Sequence, residues 1–182
     1  MKHITITMAV LLLTLSLNAQ ENVYALNLKS IQGANINLGS LQGKKVIIVV
    51  CDAAQPDREY LRSLDTLFKT NRNRLAIIAI PATDFSKVVN PAQNRKLWED
   101  TLHLSYLVTT PAKVKKANGQ DQQLLMQWLT TLAKNKHAVR DVVAANEMFV
   151  LNEYGRLYAH MAQKTNLHGK FMKRVLEQVP TE

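Results

Sequence analysis

The sequence predicts an α/β domain in which a mixed central β-sheet is covered by helices on both faces. Two continuous apolar runs, Val46–Val50 and Leu75–Ile80, are typical of strands buried on both faces. An amphipathic helix lies between them, so the three elements form a strand–helix–strand unit whose crossover is nearly always right-handed. A hairpin is predicted near each end of the domain, which makes the sheet mixed.

The chain begins with a segment typical of a secretory signal peptide. Met1–His3 is positively charged, Ile4–Leu17 is apolar, and Ala19 is a small residue at a plausible cleavage point. A membrane anchor is the alternative, but a run of about 14 apolar residues is short for a bilayer span, which needs about 20. We therefore expect residues 1–19 to be removed. Residues 20–182 should form a single domain without a membrane span, exported to the periplasm or secreted.

A β-hairpin is expected to open this domain. Val23–Leu28 alternates apolar and polar residues, Gln32–Asn35 is typical of a turn, and Ile36 and Leu38 continue as the second strand. The hairpin leads into the central strand.

The central strand Val46–Val50 is followed by a short polar loop, Cys51–Gln55, and then by a helix that ends near Thr70. We expect the helix to begin at Pro56, because the missing N–H of proline is not needed at the first helical position. The second buried strand, Leu75–Ile80, should end at Pro81.

The rest of the chain predicts three more helices, a short apolar strand and a hairpin. The helices are Ala92–Leu104, Gln120–Ala133 and His168–Val179, the short strand is Tyr106–Val108, a turn lies at Asn118–Gly119, and the hairpin pairs Asn146–Leu151 with Arg156–Met161.

Charge and cysteine content limit the kinds of partner. The net charge is +9, but the cations are scattered and no basic run is interleaved with aromatic residues. A solvated surface is therefore the first interpretation, attraction to anionic surfaces is the alternative, and no nucleic-acid partner is expected. An exported chain meets an oxidising compartment. Its one cysteine, Cys51, cannot form an internal disulfide, so the thiol is buried, reactive, or available to a partner.

This element order, with a thiol near a strand-to-helix turn and a later Thr–Pro, resembles the thioredoxin fold. Within that fold it resembles the glutathione peroxidase family, over roughly Val23–Val179. The segments that carry the resemblance are Val23–Leu26 with Ile31–Gly33, Gln42–Val49, Ala79–Phe85, Ala117–Gly119 with Leu124 and Gln127–Leu129, and Phe149–Leu151 with Tyr154–Arg156. Each segment by itself is a weak match, and the resemblance rests on the order and spacing of all of them together.

The resemblance fails at the residues that carry the family's chemistry. The family pattern N-V-A-S-x-C-G-x-T places cysteine or selenocysteine at the helix start, a position that falls here on Gln55 or, with a one-residue gap, on Pro56. The family's glutamine falls on Asp84, where a carboxylate would raise the pKa of a neighbouring thiol. The resolving cysteine falls on Ala82, and the Trp–Asn pair falls on Ala144–Ala145. The scaffold is predicted to persist without its catalytic side chains.

Two candidate features remain at this pocket. Cys51 is either a small apolar residue that caps a buried strand or a peroxidatic thiol, but Asp52 beside it has the wrong charge and only Arg58 is a nearby cation. With no second thiol, activity would need an external reductant. Thr110–Pro111 resembles the cis-proline beside the thioredoxin-fold active site, and a cis bond there would leave a backbone edge open to a peptide or a small ligand.

The remaining polar residues do not predict a metal or another cofactor. No two histidines have the spacing of metal ligands. Asp52, Asp57, Glu59 and Asp84 are a possible cation site, but acidic residues that stabilise a helix N-terminus explain them better.

We therefore expect an exported glutathione-peroxidase-like protein that has lost peroxidase chemistry and binds a ligand or a protein or peptide partner. The alternative is a thiol-dependent peroxidase in the oxidative-stress response, which would use Cys51, peroxide, and a small thiol or thioredoxin-like reductant. A third hypothesis is an interaction module that uses the basic surface.

Overall fold

The computed structural model describes residues 22–87, 90–163 and 165–178, and within these ranges the strands form two sheets. The predicted signal peptide, residues 1–19, lies outside them. In chain order the strands are β1 (Asn27–Lys29), β2 (Asn35–Asn37), β3 (Lys45–Asp52), β4 (Leu75–Ala82), β5 (Leu107–Val108), β6 (Met148–Leu151) and β7 (Leu157–Met161).

The main sheet has the order β5–β4–β3–β6–β7, and it is mixed as predicted. Strand β4 runs parallel to β3 and to β5, whereas β6 runs antiparallel to β3 and to β7. Strands β1 and β2 pair antiparallel as a separate hairpin, so the N-terminal hairpin is confirmed. Its first strand is shorter than predicted, because Val23–Ala25 forms a 3₁₀ turn that the Asn22 side chain caps by accepting a hydrogen bond from the Tyr24 N–H.

The two central strands are longer than their apolar runs. Strand β3 pairs with β4 along its whole length, with Cys51 opposite Pro81 and Asp52 opposite Ala82. The predictions that Cys51 begins a loop and that Pro81 ends a strand are therefore wrong. The backbone of Pro81 still takes part in the sheet, because its carbonyl accepts a hydrogen bond from the Ala112 N–H.

The helices in the described residues are α1 (Arg58–Asn71), α2 (Pro91–Lys96), α3 (Leu124–Thr130), α4 (Leu132–Asn135) and α5 (Lys170–Glu177). Helix α1 does not begin at Pro56. Asp57 is its N-cap, and its carboxylate accepts a hydrogen bond from the Tyr60 N–H, which fixes the start of the helix two residues later.

Two predicted helices are shorter than expected. Helix α2 continues as one π-helical turn, Leu97–Thr101, and His103 then adopts a positive φ of 47°. The segment predicted as one helix from Gln120 is divided, because Lys116–Asp121 forms a 3₁₀ turn and Thr131 is extended between α3 and α4.

Two C-terminal elements start later than predicted. Strand β6 starts at Met148, since Asn146 has a φ of 67° that a strand does not allow. The last helix begins at Lys170, and the predicted end at Val179 lies outside the described residues.

Each face of the sheet packs on its own set of elements. Val46, Ile48 and Val50 point into a core shared with α3, and Ile47, Val49 and Cys51 point into a core shared with α1, the Leu97–Thr101 turn and α5. A fully buried side chain of this size contributes about 1.5–3 kcal/mol. Within the described residues, no helix has the length and hydrophobicity needed to cross a bilayer.

Candidate functional site

Cys51 lies on the face of β3 that α1 covers, and its side chain is fully buried. Its Sγ atom is 3.9 Å from the Val49 carbonyl oxygen, a contact in which the thiol is the donor. Burial raises the pKa of the Cys51 thiol, and the carboxylates of Asp52 and Asp57 raise it further. The thiol is therefore held in its neutral form, which is the less nucleophilic one.

The loop that follows β3 is closed by the carboxylate of Asp52. Its Oδ1 atom accepts hydrogen bonds from the backbone N–H groups of Ala54 and Gln55, each at 2.9 Å. Its Oδ2 atom accepts a hydrogen bond from the Ser86 hydroxyl. Asp52 thus holds the loop in place, and the Gln55 N–H is directed back into the loop rather than outward.

Ala53 anchors the same loop to α2 and to the π-helical turn. Its N–H donates to the Ala82 carbonyl at 3.0 Å. Its carbonyl accepts from the Asn94 amide and, at 2.9 Å, from the Trp98 indole N–H. Because both side chains are buried, the hydrogen bonds fix the distance between the loop and α2.

A hollow of about 290 Å³ lies between this loop and α2, and we call it the loop hollow. Its lining is rich in amide side chains and includes Ala54, Gln55, Lys87, Asn90, Gln93 and Asn94. Asn94 is buried, and its Oδ1 atom has no hydrogen-bond partner. Asn90 is engaged as the cap of α2, because it accepts hydrogen bonds from the Ala92 and Gln93 N–H groups.

Asp84 lies apart from the loop hollow. Its carboxylate accepts hydrogen bonds from the Val114 N–H at 2.6 Å and from the Asn118 amide at 2.5 Å. It is not among the groups that raise the pKa of Cys51. In the described residues, no three His, Cys, Asp or Glu side chains come together as metal ligands would.

Thr110–Pro111 does not form the open edge that a cis-proline would give. The described residues contain no cis peptide bond, so this bond is trans. The Thr110 N–H donates to the Lys29 carbonyl, and the Ala112 N–H donates to the Pro81 carbonyl. This segment therefore covers the outer edge of β4, one strand away from Cys51.

Ala144–Ala145 lies in the loop that enters β6, beside the carboxyl end of β3. The next residue, Asn146, donates its N–H to the Val50 carbonyl at 2.6 Å. Asn146 is buried, and its Oδ1 atom has no partner. Two alanines cannot donate from their side chains, so they take part in this loop through their backbone only.

A buried Glu147–His160 pair supports the same loop, and the sequence did not reveal it. One carboxylate oxygen of Glu147 accepts from the Val143 and Ala144 N–H groups, and the other lies 2.9 Å from Nε2 of His160. His160 lies on β7, and Glu147 immediately precedes the neighbouring strand β6. Their separation of 13 positions gives no periodic signal.

Comparisons with known proteins place the chain by its structure. No protein-family model matches it, and no curated protein matches it in sequence. The crystal structure of the glutathione peroxidase Trgpx in apo form aligns with a TM-score of 0.64 at 15% identity, over 87% of this chain and 99% of that one. Glutathione peroxidase GPX1 of T. cruzi aligns with a TM-score of 0.66 at 11% identity, over 86% and 94% of the two chains.

A thiol:disulfide interchange protein of the thioredoxin family from Chlorobium tepidum TLS is also similar, with a TM-score of 0.56 at 14% identity over 81% of this chain and 90% of that one. The chain therefore has a thioredoxin-like fold in a glutathione-peroxidase-like arrangement. At such identities the likeness establishes the fold, and the chemistry depends on the residues of this chain.

Proposed function

We propose that this glutathione-peroxidase-like chain is an exported binding protein that no longer carries out peroxidase chemistry, and that the loop hollow is its ligand site. The proposal rests on one observation: the Cys51 thiol does not line the loop hollow. The resemblance places the nucleophile position on Gln55 or, with a one-residue gap, on Pro56, and Gln55 lines the loop hollow. Cys51 is buried on β3 with a raised pKa.

The loop hollow suits a small polar ligand. Amide side chains donate and accept hydrogen bonds without carrying charge, so they match ligands with both kinds of group. Lys87 adds one cation to this lining, and the exposed amides of Gln55 and Gln93 face solvent beside it. A volume of about 290 Å³ is at the lower end of the range for small-molecule sites.

The second candidate is a thiol-dependent peroxidase in the oxidative-stress response that uses Cys51 and a small thiol or a thioredoxin-like reductant. The shared fold with glutathione peroxidases and a thiol:disulfide interchange protein favours it. It requires that the loop opens, because peroxide must reach a fully buried sulfur atom.

Peroxide oxidation separates these candidates. We expect hydrogen peroxide to oxidise Cys51 more slowly than a free thiol in solution, as followed by mass spectrometry of the intact protein. The matched variant is Gln55→Cys in a Cys51→Ala background, which moves the thiol to the exposed loop and should react faster. Rapid stoichiometric sulfenic acid formation at Cys51, faster than in the matched variant, would establish the peroxidase instead.

Ligand binding is tested by obstruction of the loop hollow. Gln93→Trp places a large side chain at its rim, whereas Lys96→Trp places the same side chain on an exposed position of α2 outside its lining. In a thermal-shift screen of small polar compounds, a ligand of this site should stabilise the Lys96→Trp variant but not the Gln93→Trp variant. Equal stabilisation of both would place the ligand elsewhere.

Export is tested on the protein as cells process it. If residues 1–19 are a signal peptide, N-terminal sequencing of the chain recovered outside the cytoplasm should begin at Gln20. An intact Met1 in that fraction would contradict cleavage.

A further inference from the structure

Helix α5 is amphipathic, and its outer face is basic. Met172 and Val175 are buried against the sheet, whereas Lys170, Lys173 and Arg174 are exposed. Phe171 is 54% exposed on the same helix. One turn separates Phe171 from Arg174, so the aromatic ring and the Arg174 guanidinium are neighbours on the helix surface.

The positive charge of α5 continues onto the end of α1. Arg74 and Lys173 line the same hollow, of about 200 Å³, between the two helices, and in the part of the chain that the structure describes Glu177 is the one carboxylate in its lining. At the other end of α5, the Gln178 carbonyl accepts a hydrogen bond from Lys45, the residue that follows Lys44, at 2.8 Å. The Lys44 ammonium in turn donates to the Arg72 carbonyl at 3.2 Å. We call this surface the basic face; it comprises Lys44, Arg72, Arg74, Lys170, Lys173 and Arg174.

Few carboxylates neutralise the basic face. The Arg74 guanidinium donates to the neutral side chain of Asn71, and Lys44 donates to a backbone carbonyl. Lys173 has Glu177 only at 4.0 Å, and both are exposed. Among the described residues, no carboxylate lies within ion-pair distance of Lys170 or Arg174. Such unpaired charge favours an anionic partner.

We propose that the basic face docks the protein onto an anionic phospholipid bilayer, with Phe171 inserted at the level of the headgroups. Clustered lysines and arginines are attracted to anionic lipids. Transfer of an aromatic side chain on such a surface from water to the boundary between headgroups and acyl chains lowers the free energy of the bound state. An acidic polymer would satisfy the cations but not Phe171, so the bilayer fits the surface better. The proposal is independent of the loop hollow.

Vesicle sedimentation tests this proposal. The protein should bind vesicles of phosphatidylcholine and phosphatidylglycerol in equal parts, should bind vesicles of phosphatidylcholine alone much more weakly, and should be released by salt. The triple variant Lys170→Glu, Lys173→Glu and Arg174→Glu should lower the affinity by about tenfold or more. Phe171→Ser should weaken vesicle binding without changing binding to soluble polyphosphate.

The matched control reverses three exposed cations on the other helices, Arg58, Arg62 and Lys96, and changes the net charge equally. Its affinity for vesicles should stay within about threefold of that of the parent protein, since the attraction between a charge and the bilayer decays within a Debye length. An equal loss in the two triple variants would show that total charge acts, rather than this face. Preference for polyphosphate over vesicles, with Phe171→Ser unaffected, would assign the face to an acidic polymer.

Discussion

The two ends of strand β3 are both polar, but they are stabilised in different ways. At the amino end, Lys45 is buried, and its ammonium donates to the Glu153 carboxylate at 2.7 Å and to the Gln178 carbonyl. At the carboxyl end, Asp52 accepts hydrogen bonds from its own loop and from Ser86. The first end joins elements that are distant in sequence, whereas the second organises a short local loop.

This difference leaves an accessible hollow at the carboxyl end of β3, next to the position that the resemblance gives to the nucleophile. The contacts of Lys45 join β3, the turn after β6 and the residue after α5 into one rigid unit. The contacts of Asp52 fix the loop backbone but leave the Gln55 side chain exposed beside the loop hollow. A larger hollow, of about 540 Å³, lies near the amino end and contains none of the predicted site residues.

The largest expected effect is the loss of the buried ion pair at the amino end. Lys45→Met should lower the free energy of unfolding by about 3 kcal/mol, because the half-buried Glu153 carboxylate loses its cation. Urea denaturation measures this change. Lys113→Met, which removes an exposed ion pair with Asp121, is the control and should cost much less. Similar losses in the two variants would contradict a special contribution of the buried ion pair at the amino end of β3.

The next effect concerns the carboxyl end. Asp52→Ala removes the acceptor for two backbone N–H groups and the Ser86 hydroxyl, which should cost about 1–2 kcal/mol. Asp57→Ala, which removes only the cap of α1, should cost about 1 kcal/mol. Both are measured by urea denaturation. If Asp52→Ala were neutral, the loop would be ordered by Ala53 and α2 alone.

Titration of Cys51 should make the folded protein less stable in alkali. Its ordinary pKa is 9.0, and burial raises the pKa in the folded state. Below pH 9 the thiol is protonated in both states, whereas above it the unfolded chain loses a proton that the folded chain retains. Unfolding therefore becomes easier by about 1 kcal/mol between pH 9 and pH 10.

Cys51→Ala should lack this part of the pH dependence. The pKa values of Tyr60 and Tyr106 are also raised, mainly by burial, but those residues add to the loss only above their ordinary value of 10.0. Urea midpoints of the two proteins at pH 8, 9 and 10 measure the difference, and the pH values are set around the ordinary pKa of the thiol. Parallel midpoints would mean that the thiol is exposed to solvent.

The smallest expected effect on stability belongs to Gln55. Its backbone N–H holds the loop, but its side chain is exposed, so Gln55→Ala should change the free energy of unfolding by less than about 0.5 kcal/mol. The same variant should weaken any ligand of the loop hollow. A large loss of stability would show that the amide side chain is structural.

The pattern of apolar residues was sufficient to predict the sheet and the position of most helices. Val46–Val50 and Leu75–Ile80 are buried in every position, because a core covers each face of these two strands. Boundaries were predicted less well. The start of α1 depends on a hydrogen bond from Tyr60 to Asp57, and the break at Thr131 depends on packing that periodicity does not record.

The candidate site could be predicted only in part. The sequence alone shows that Gln55 has no thiol, because the family pattern can be compared with this chain residue by residue. The burial of Cys51 does not, since it depends on the extra strand residues that place the side chain under α1. The buried amides of Asn94 and Asn146 and the Glu147–His160 pair were also missed, because polar residues give no periodic signal when they are buried.

The sequence by itself determined the fold class and the mixed sheet with its N-terminal hairpin, because these follow from local hydrophobic periodicity and the order of elements. The likeness to glutathione peroxidases came from the resemblance of short sequence segments and their order. Only the tertiary structure decided that Cys51 is inside, that Thr110–Pro111 is trans and covers an edge, and that α5 and the end of α1 form one basic face. Each of these depends on contacts between segments far apart in the chain, and the free energy of such contacts is set by burial and geometry rather than by neighbours in sequence.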